Sequence, residues 1–215
     1  MDGLLLDTER LVMEAAARTA RVLELDGLEP TFRAMIGLRG DRAMPLLERA
    51  IAGRVTLDAF RDEWTTHLGG LRRGEVPLRP RVQELLERLA ARGIPCAVAT
   101  SSERADARAL LERTGIAHFF VTVTGGDDVV EPKPDPEIYH RAAASLGVEA
   151  HRCCAFEDSD PGTRAAVASG ARVVQVPDQV QPCDAVRALG HVIAPDVLSG
   201  ALQVGLLDRA VEERA

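Results

Sequence analysis

The sequence predicts a doubly wound, parallel α/β sheet carrying a helical insertion, and three observations predict it. Short apolar runs alternate with single amphipathic helices through the second half of the chain. Glycines stand where those helices should stop, at Gly93, Gly115, Gly147 and Gly170. Residues 9 to 78 show helical periodicity with no convincing strand between.

Each element follows in order. Val12, Ala16, Ala20 and Leu23 make a stripe at helical spacing, and further helical patterns cover roughly 40–52 and 56–70. Val82, Leu85, Leu86 and Leu89 recur at i, i+3, i+4 and i+7, between Pro80 and Gly93. The run 94–100 (IPCAVAT) reads as a strand buried on both faces. Helix 104–114, strand 119–124, helix 136–146, strand 152–156, helix 161–169 and strand 171–176 complete the alternation. Single helices between strands imply right-handed crossovers in one parallel sheet. The expected division is a core of 1–8 and 79–215 with a helical cap domain of 9–78.

Composition narrows the partners. A chain of 215 residues, 46% hydrophobic and 27% charged, is long enough for one core with an insertion. A net charge of −7 disfavours nucleic acid and acidic membranes. The run Leu4-Leu5-Leu6 is far too short to span a bilayer, and no export signal is visible. Four cysteines without a Cys-x-x-Cys pair suit a reducing cytoplasm, and a monomer is the simplest state. Of 26 basic residues only Lys133 is lysine, which singles it out for a task arginine cannot do.

Ligands of open parallel sheets bind beyond the carboxyl ends of the strands. That edge collects Thr100 and Ser101 after one strand, Glu157 and Asp158 after another, Lys133 on a loop, and Asp2 near the start. Carboxylates without histidine or thiolate suit a hard cation such as magnesium. A hydroxyl and an ammonium beside it suit phosphate oxygens. Taken singly, Glu157 to Asp160 and Thr100 to Ser102 read as helix caps, Asp7 and Thr8 as the cap of the first helix, and Lys133 as a solvated side chain. Trp64 reads as packing, and Asp128 as a support for the lysine loop.

In combination these segments resemble the haloacid dehalogenase superfamily. MDGLLLDTER is similar to its first motif, Asp-x-Asp-Gly and an apolar run. Ala99-Thr100-Ser101 is similar to the second motif, Glu131 to Pro136 to the third, and Phe156 to Gly162 to the fourth, in the family's order over residues 1 to 176. The start also resembles β-phosphoglucomutases and sugar-phosphate phosphatases. The resemblance implies a Rossmann-like core and a magnesium-dependent phosphatase acting on a small phosphorylated metabolite. It makes Asp2 the general acid/base and, through its carbonyl, a metal ligand. Asp158 would bind the metal, with Glu157 a direct or indirect ligand. Thr100 and the N–H of Ser101 would hold phosphate oxygens, Lys133 would bridge phosphate and nucleophile, and Arg39 would touch substrate.

The family's nucleophile is the first Asp of Asp-x-Asp-Gly. Met1 stands at x, so that Asp and the central strand leading into it fall before the chain, which is expected not to turn over as given. A start assigned to an internal Met accounts for this. Val12 occupies the place of a histidine in the mutases, which favours hydrolysis. A mutase and a non-catalytic phosphate-binding relative remain the alternatives.

Overall fold

The computed structural model describes residues 1–35 and 40–208, so Arg39 lies outside the described residues. The chain divides into two units, Met1–Leu6 with Leu78–Ala215 and Asp7–Pro77.

The second unit is helical: α1 (Thr8–Val22), α2 (Glu29–Met35), α3 (Gly40–Ile51) and α4 (Leu57–Arg73). Ala16, Ala20, Leu25, Leu28, Phe32, Leu47, Ile51 and Phe60 form its buried cluster. The stripe expected on α1 is half right. Ala16 and Ala20 are buried, while Val12 and Leu23 are half-exposed and Leu11, Ala15 and Thr19 are buried instead. Steps of four residues overshoot a 3.6-residue turn, so a stripe read at that spacing drifts off the buried face. Trp64 packs edge-on against Phe60, ring centroids 6.1 Å apart. The hydroxyl of Thr56 caps α4 by accepting the Ala59 N–H at 3.3 Å. Asp7 precedes α1 without a capping hydrogen bond and accepts Arg10 Nε at 3.1 Å instead.

The α/β unit runs α5 (Val82–Ala91), β1 (Cys96–Ala99), α6 (Arg104–Arg113), β2 (Phe120–Thr124), α7 (Glu137–Ser145), β3 (Cys154–Glu157), α8 (Asp160–Ala168) and β4 (Arg172–Gln175). The elements α9 (Asp184–Arg187), β5 (Val192–Ile193) and α10 (Val197–Gln203) follow. Val82, Leu85, Leu86 and Leu89 of α5 are all buried, as their spacing predicts. The segment after residue 176 carries no predicted element, because α9 and β5 are too short to show a period.

All strand pairs are parallel, but they make two sheets where the alternation predicts one. One is β1-β2 and the other β3-β4-β5. A cavity of about 350 Å³ is lined by Val98 and Ala99 of β1, Phe156 and Cys154 of β3, Met1 and Leu4. Residues 1–6 form a turn rather than a strand. Leu5 N–H donates to the Met1 carbonyl at 2.9 Å, Gly3 has φ 70°, and Leu6 bridges Leu78 antiparallel. No helix among the described residues is long and apolar enough to cross a membrane.

Candidate active site

Two strand ends build the site. Strand β1 delivers Thr100, whose N–H donates to the Thr124 carbonyl at 3.0 Å and continues the register Ala99 to Thr124. Thr100 is 3% exposed, and its hydroxyl accepts the Ser102 N–H at 3.2 Å. Ser102 Oγ in turn donates to Asp2 Oδ2 at 3.0 Å. Ser101 is exposed, and its carbonyl lies close to Gly126, where a Cβ would come within 2.5 Å. The Thr100–Ser102 hydroxyls do not cap α6. Its Arg104 N–H goes to Asp127 Oδ1 at 2.8 Å. Asp128, read as a support for the lysine loop, accepts instead from the Gly125 N–H at 2.8 Å and from Arg104.

Strand β3 ends in Glu157 and is followed by Asp158. Ser159 caps α8, its hydroxyl accepting the Gly162 N–H at 3.3 Å. Gly162 is obligatory there, since a Cβ would collide with the Glu157 carboxylate. The capping reading of this segment therefore holds for Ser159, while Glu157 turns elsewhere.

Lys133 joins the two ends. It is only 9% exposed, and its ammonium donates to the Ala99 carbonyl at 3.3 Å and to Glu157 Oε1 at 2.5 Å. The solvated reading of Lys133 fails on this geometry. Tyr139 of α7 donates its hydroxyl to the same Glu157 oxygen, and its ring centroid lies 5.2 Å from the ammonium. Burial works against the Glu157 carboxylate, but the Lys133 ammonium, then the terminal ammonium, then the Lys133 and Tyr139 hydrogen bonds outweigh it and hold its pKa below the usual range. Burial, then the charge of Glu157, pushes the Tyr139 hydroxyl well above its usual value. Burial and the neighbouring Glu157 charge raise Asp158 to about 7.

The site thus gathers Asp2, Thr100, Lys133, Glu157 and Asp158 within the α/β unit. Among the described residues no three His, Cys, Asp or Glu side chains cluster closely enough to form a metal cage. Both Glu157 oxygens are engaged, Oε2 with the Ser159 hydroxyl at 3.4 Å, which leaves the Asp158 carboxylate and the Asp2 main-chain carbonyl as the groups that could hold a cation. Their chemistry fits magnesium, which keeps several waters and takes few protein carboxylates. Gly3 supports that fit. A Cβ there would lie 2.5 Å from Asp158 Oδ2, so glycine lets a carboxylate of raised pKa sit against the Asp2–Gly3 main chain.

Ser102 and Tyr139 are site residues that the sequence pattern does not single out. Tyr139 is the sole tyrosine, a weak signal, and nothing marks Ser102 apart from its hydroxyl neighbours.

A parallel α/β unit with acid, hydroxyl and lysine at its strand ends is the arrangement of a phosphate-handling hydrolase. The chain belongs to the haloacid dehalogenase-like hydrolase family, which matches residues 1–176. It is 32% identical over 170 residues to a phosphorylated carbohydrates phosphatase of Thermotoga maritima, covering 79% of each chain. It is 35% identical over 179 residues to the fructose-1-phosphate phosphatase YqaB of Escherichia coli, covering 82% of this chain and 93% of that one. A HAD family hydrolase from Deinococcus radiodurans R1, solved with bound phosphate and sodium, superposes with a TM-score of 0.81 at 26% identity, over 98% of this chain and 96% of its own.

Proposed function

We propose that the protein is a magnesium-dependent phosphomonoesterase acting on a small phosphorylated sugar through an aspartyl-phosphate. The buried Lys133 ammonium carries the reading, because it bridges the ends of β1 and β3 where a phosphate's charge needs a fixed counter-charge. The names of the two phosphatase relatives support a phosphorylated carbohydrate as the substrate class.

Thr100 and the Ser101 N–H hold phosphate oxygens, and Lys133 neutralises the phosphate and the attacking carboxylate together. That carboxylate belongs to the position before Met1 in the Asp-x-Asp-Gly order. Asp2, held by Ser102, protonates the departing alkoxide and then takes a proton from the water that cleaves the acyl phosphate. The Asp158 carboxylate and the Asp2 main-chain carbonyl would hold the magnesium, with Glu157 orienting Lys133 behind them. Bound magnesium supplies charge neutralisation on the phosphate oxygens. The valine at position 12 favours release to water over transfer back to the sugar.

Phosphate release from a panel of sugar phosphates tests this. The 215-residue chain is expected to be silent with magnesium. The chain preceded by an apolar strand and aspartate is expected to turn over, and to stop when magnesium is chelated. Hydrolysis by the 215-residue chain would show the motif register to be wrong. Silence of both, or conversion of a sugar 1-phosphate into its 6-phosphate, overturns the phosphatase assignment.

A further inference from the structure

A buried carboxylate outside the predicted site faces the same ground. Asp178 lies just past β4, at the strand-end edge that holds Asp158 past β3, and Glu157 of β3 pairs with Gln175 of β4. Its side chain is 4% exposed. Oδ1 is occupied: Arg79 Nη1 lies 2.7 Å away and Gln179 Nε2 3.3 Å away. Oδ2 is buried and has no hydrogen-bond partner among the described residues.

That free oxygen points at Gly3. A Cβ on Gly3 would lie 3.7 Å from Asp178 Oδ2 and 2.5 Å from Asp158 Oδ2, so the two carboxylate oxygens flank one glycine. The placement is braced. Arg79 N–H donates to the Leu5 carbonyl at 2.9 Å, and Leu6 bridges Leu78, which ties the Arg79 backbone to the segment that carries Asp2 and Gly3. An ion pair kept only for stability has no reason to leave one oxygen buried and unpaired, since such an orphan costs about 1–3 kcal/mol. An acceptor held beside a cation site has one.

Resting on the magnesium site proposed above, we infer that Asp178 is a positioning residue of that site, its Oδ2 accepting a hydrogen bond from a water of the cation's shell while Arg79 fixes its orientation. Magnesium keeps most of its waters, and carboxylates that receive them are worth roughly 10–100-fold in metal affinity.

Calorimetric titration of the 215-residue chain with magnesium chloride tests this without any turnover. Asp178→Asn keeps an acceptor for Arg79 and removes the charge, and should weaken binding about 10–100-fold. The paired variant Arg79→Gln/Asp178→Asn leaves no buried charge stranded and should weaken it equally. Unchanged affinity in both variants, with only thermal stability altered, would reduce Asp178 to a structural ion pair and overturn the inference. No binding by the parent chain would overturn the magnesium site itself, and the Asp178 role with it.

Discussion

The two sheets contribute opposite kinds of chemistry to one edge. The β1-β2 sheet ends in hydroxyls and main-chain groups: Thr100 bonded to Thr124, and Ser102 donating to Asp2. The β3-β4-β5 sheet ends in negative charge, with Glu157 buried, Asp158 half-buried beside it and the buried Asp178 side chain one strand further along. Neutral donors suit a ligand that brings its own negative charge, whereas buried carboxylates are stable only when a cation or proton meets them. Lys133 touches both ends and satisfies the second sheet with the same group it offers to the first. The contrast teaches that positive charge here is placed by need. A single buried ammonium is shared, while an arginine of the helical unit such as Arg33 makes an exposed pair with Glu29.

Breaking the bridge should have the largest effect. Lys133→Met leaves Glu157 buried without its cation and should cost about 3–5 kcal/mol in urea unfolding. It should also change the pH profile. Glu157 is held below the usual carboxylate range, so the pair's contribution is full above the unfolded carboxylate's pKa and is lost as pH falls through the lower folded value. That acid-side loss should shrink in Lys133→Met, because the largest of the groups lowering Glu157 is gone, and an unaltered acid limb would contradict the assignment. Tyr139→Phe probes the same carboxylate more gently. It keeps the ring near the ammonium, removes one donor to a charged acceptor, and should cost about 1.5–3 kcal/mol by the same measurement. The smallest change belongs to the hydroxyl side. Ser102→Ala removes a donor to the half-buried Asp2 carboxylate and should cost about 1.5 kcal/mol, the low end for a charged acceptor, and a loss above that of Tyr139→Phe would erase the contrast between the sheets.

Much of this architecture is legible because it is periodic or punctuated. The stripe of α5, the apolar run of β1 and the glycines that end helices are local signals, and the structure puts those elements within two residues of their predicted bounds. The division of the strands into two sheets is not local. Met1 and Leu4 line the cavity shared by β1 and β3, but residues 1–6 turn at Gly3 and bridge only to one another and to Leu78, so they join neither sheet. The site divides the same way. Lys133 stands out by composition, and the strand-end rule selects Thr100, Glu157 and Asp158. Ser102 meets Asp2 from 100 residues away, and the Tyr139 hydroxyl selects Glu157 across a helix-to-strand packing. Spacing in sequence carries no trace of such pairings. Asp178 escapes the strand-end rule because it stands on the loop past β4 rather than directly at the strand's end.

The isolation of Lys133 has a practical consequence. Only one side chain among the 215 residues carries a primary amine, and the fold keeps it at 9% exposure under a tyrosine ring. An amine-directed acylating reagent therefore meets a single side-chain target, reachable only in molecules whose strand ends have come apart. The mass gained per hour at Lys133, read on the peptide that contains it, counts those openings directly. Phosphate or magnesium that closes the site should slow that clock, so the protein carries its own occupancy gauge without an added label.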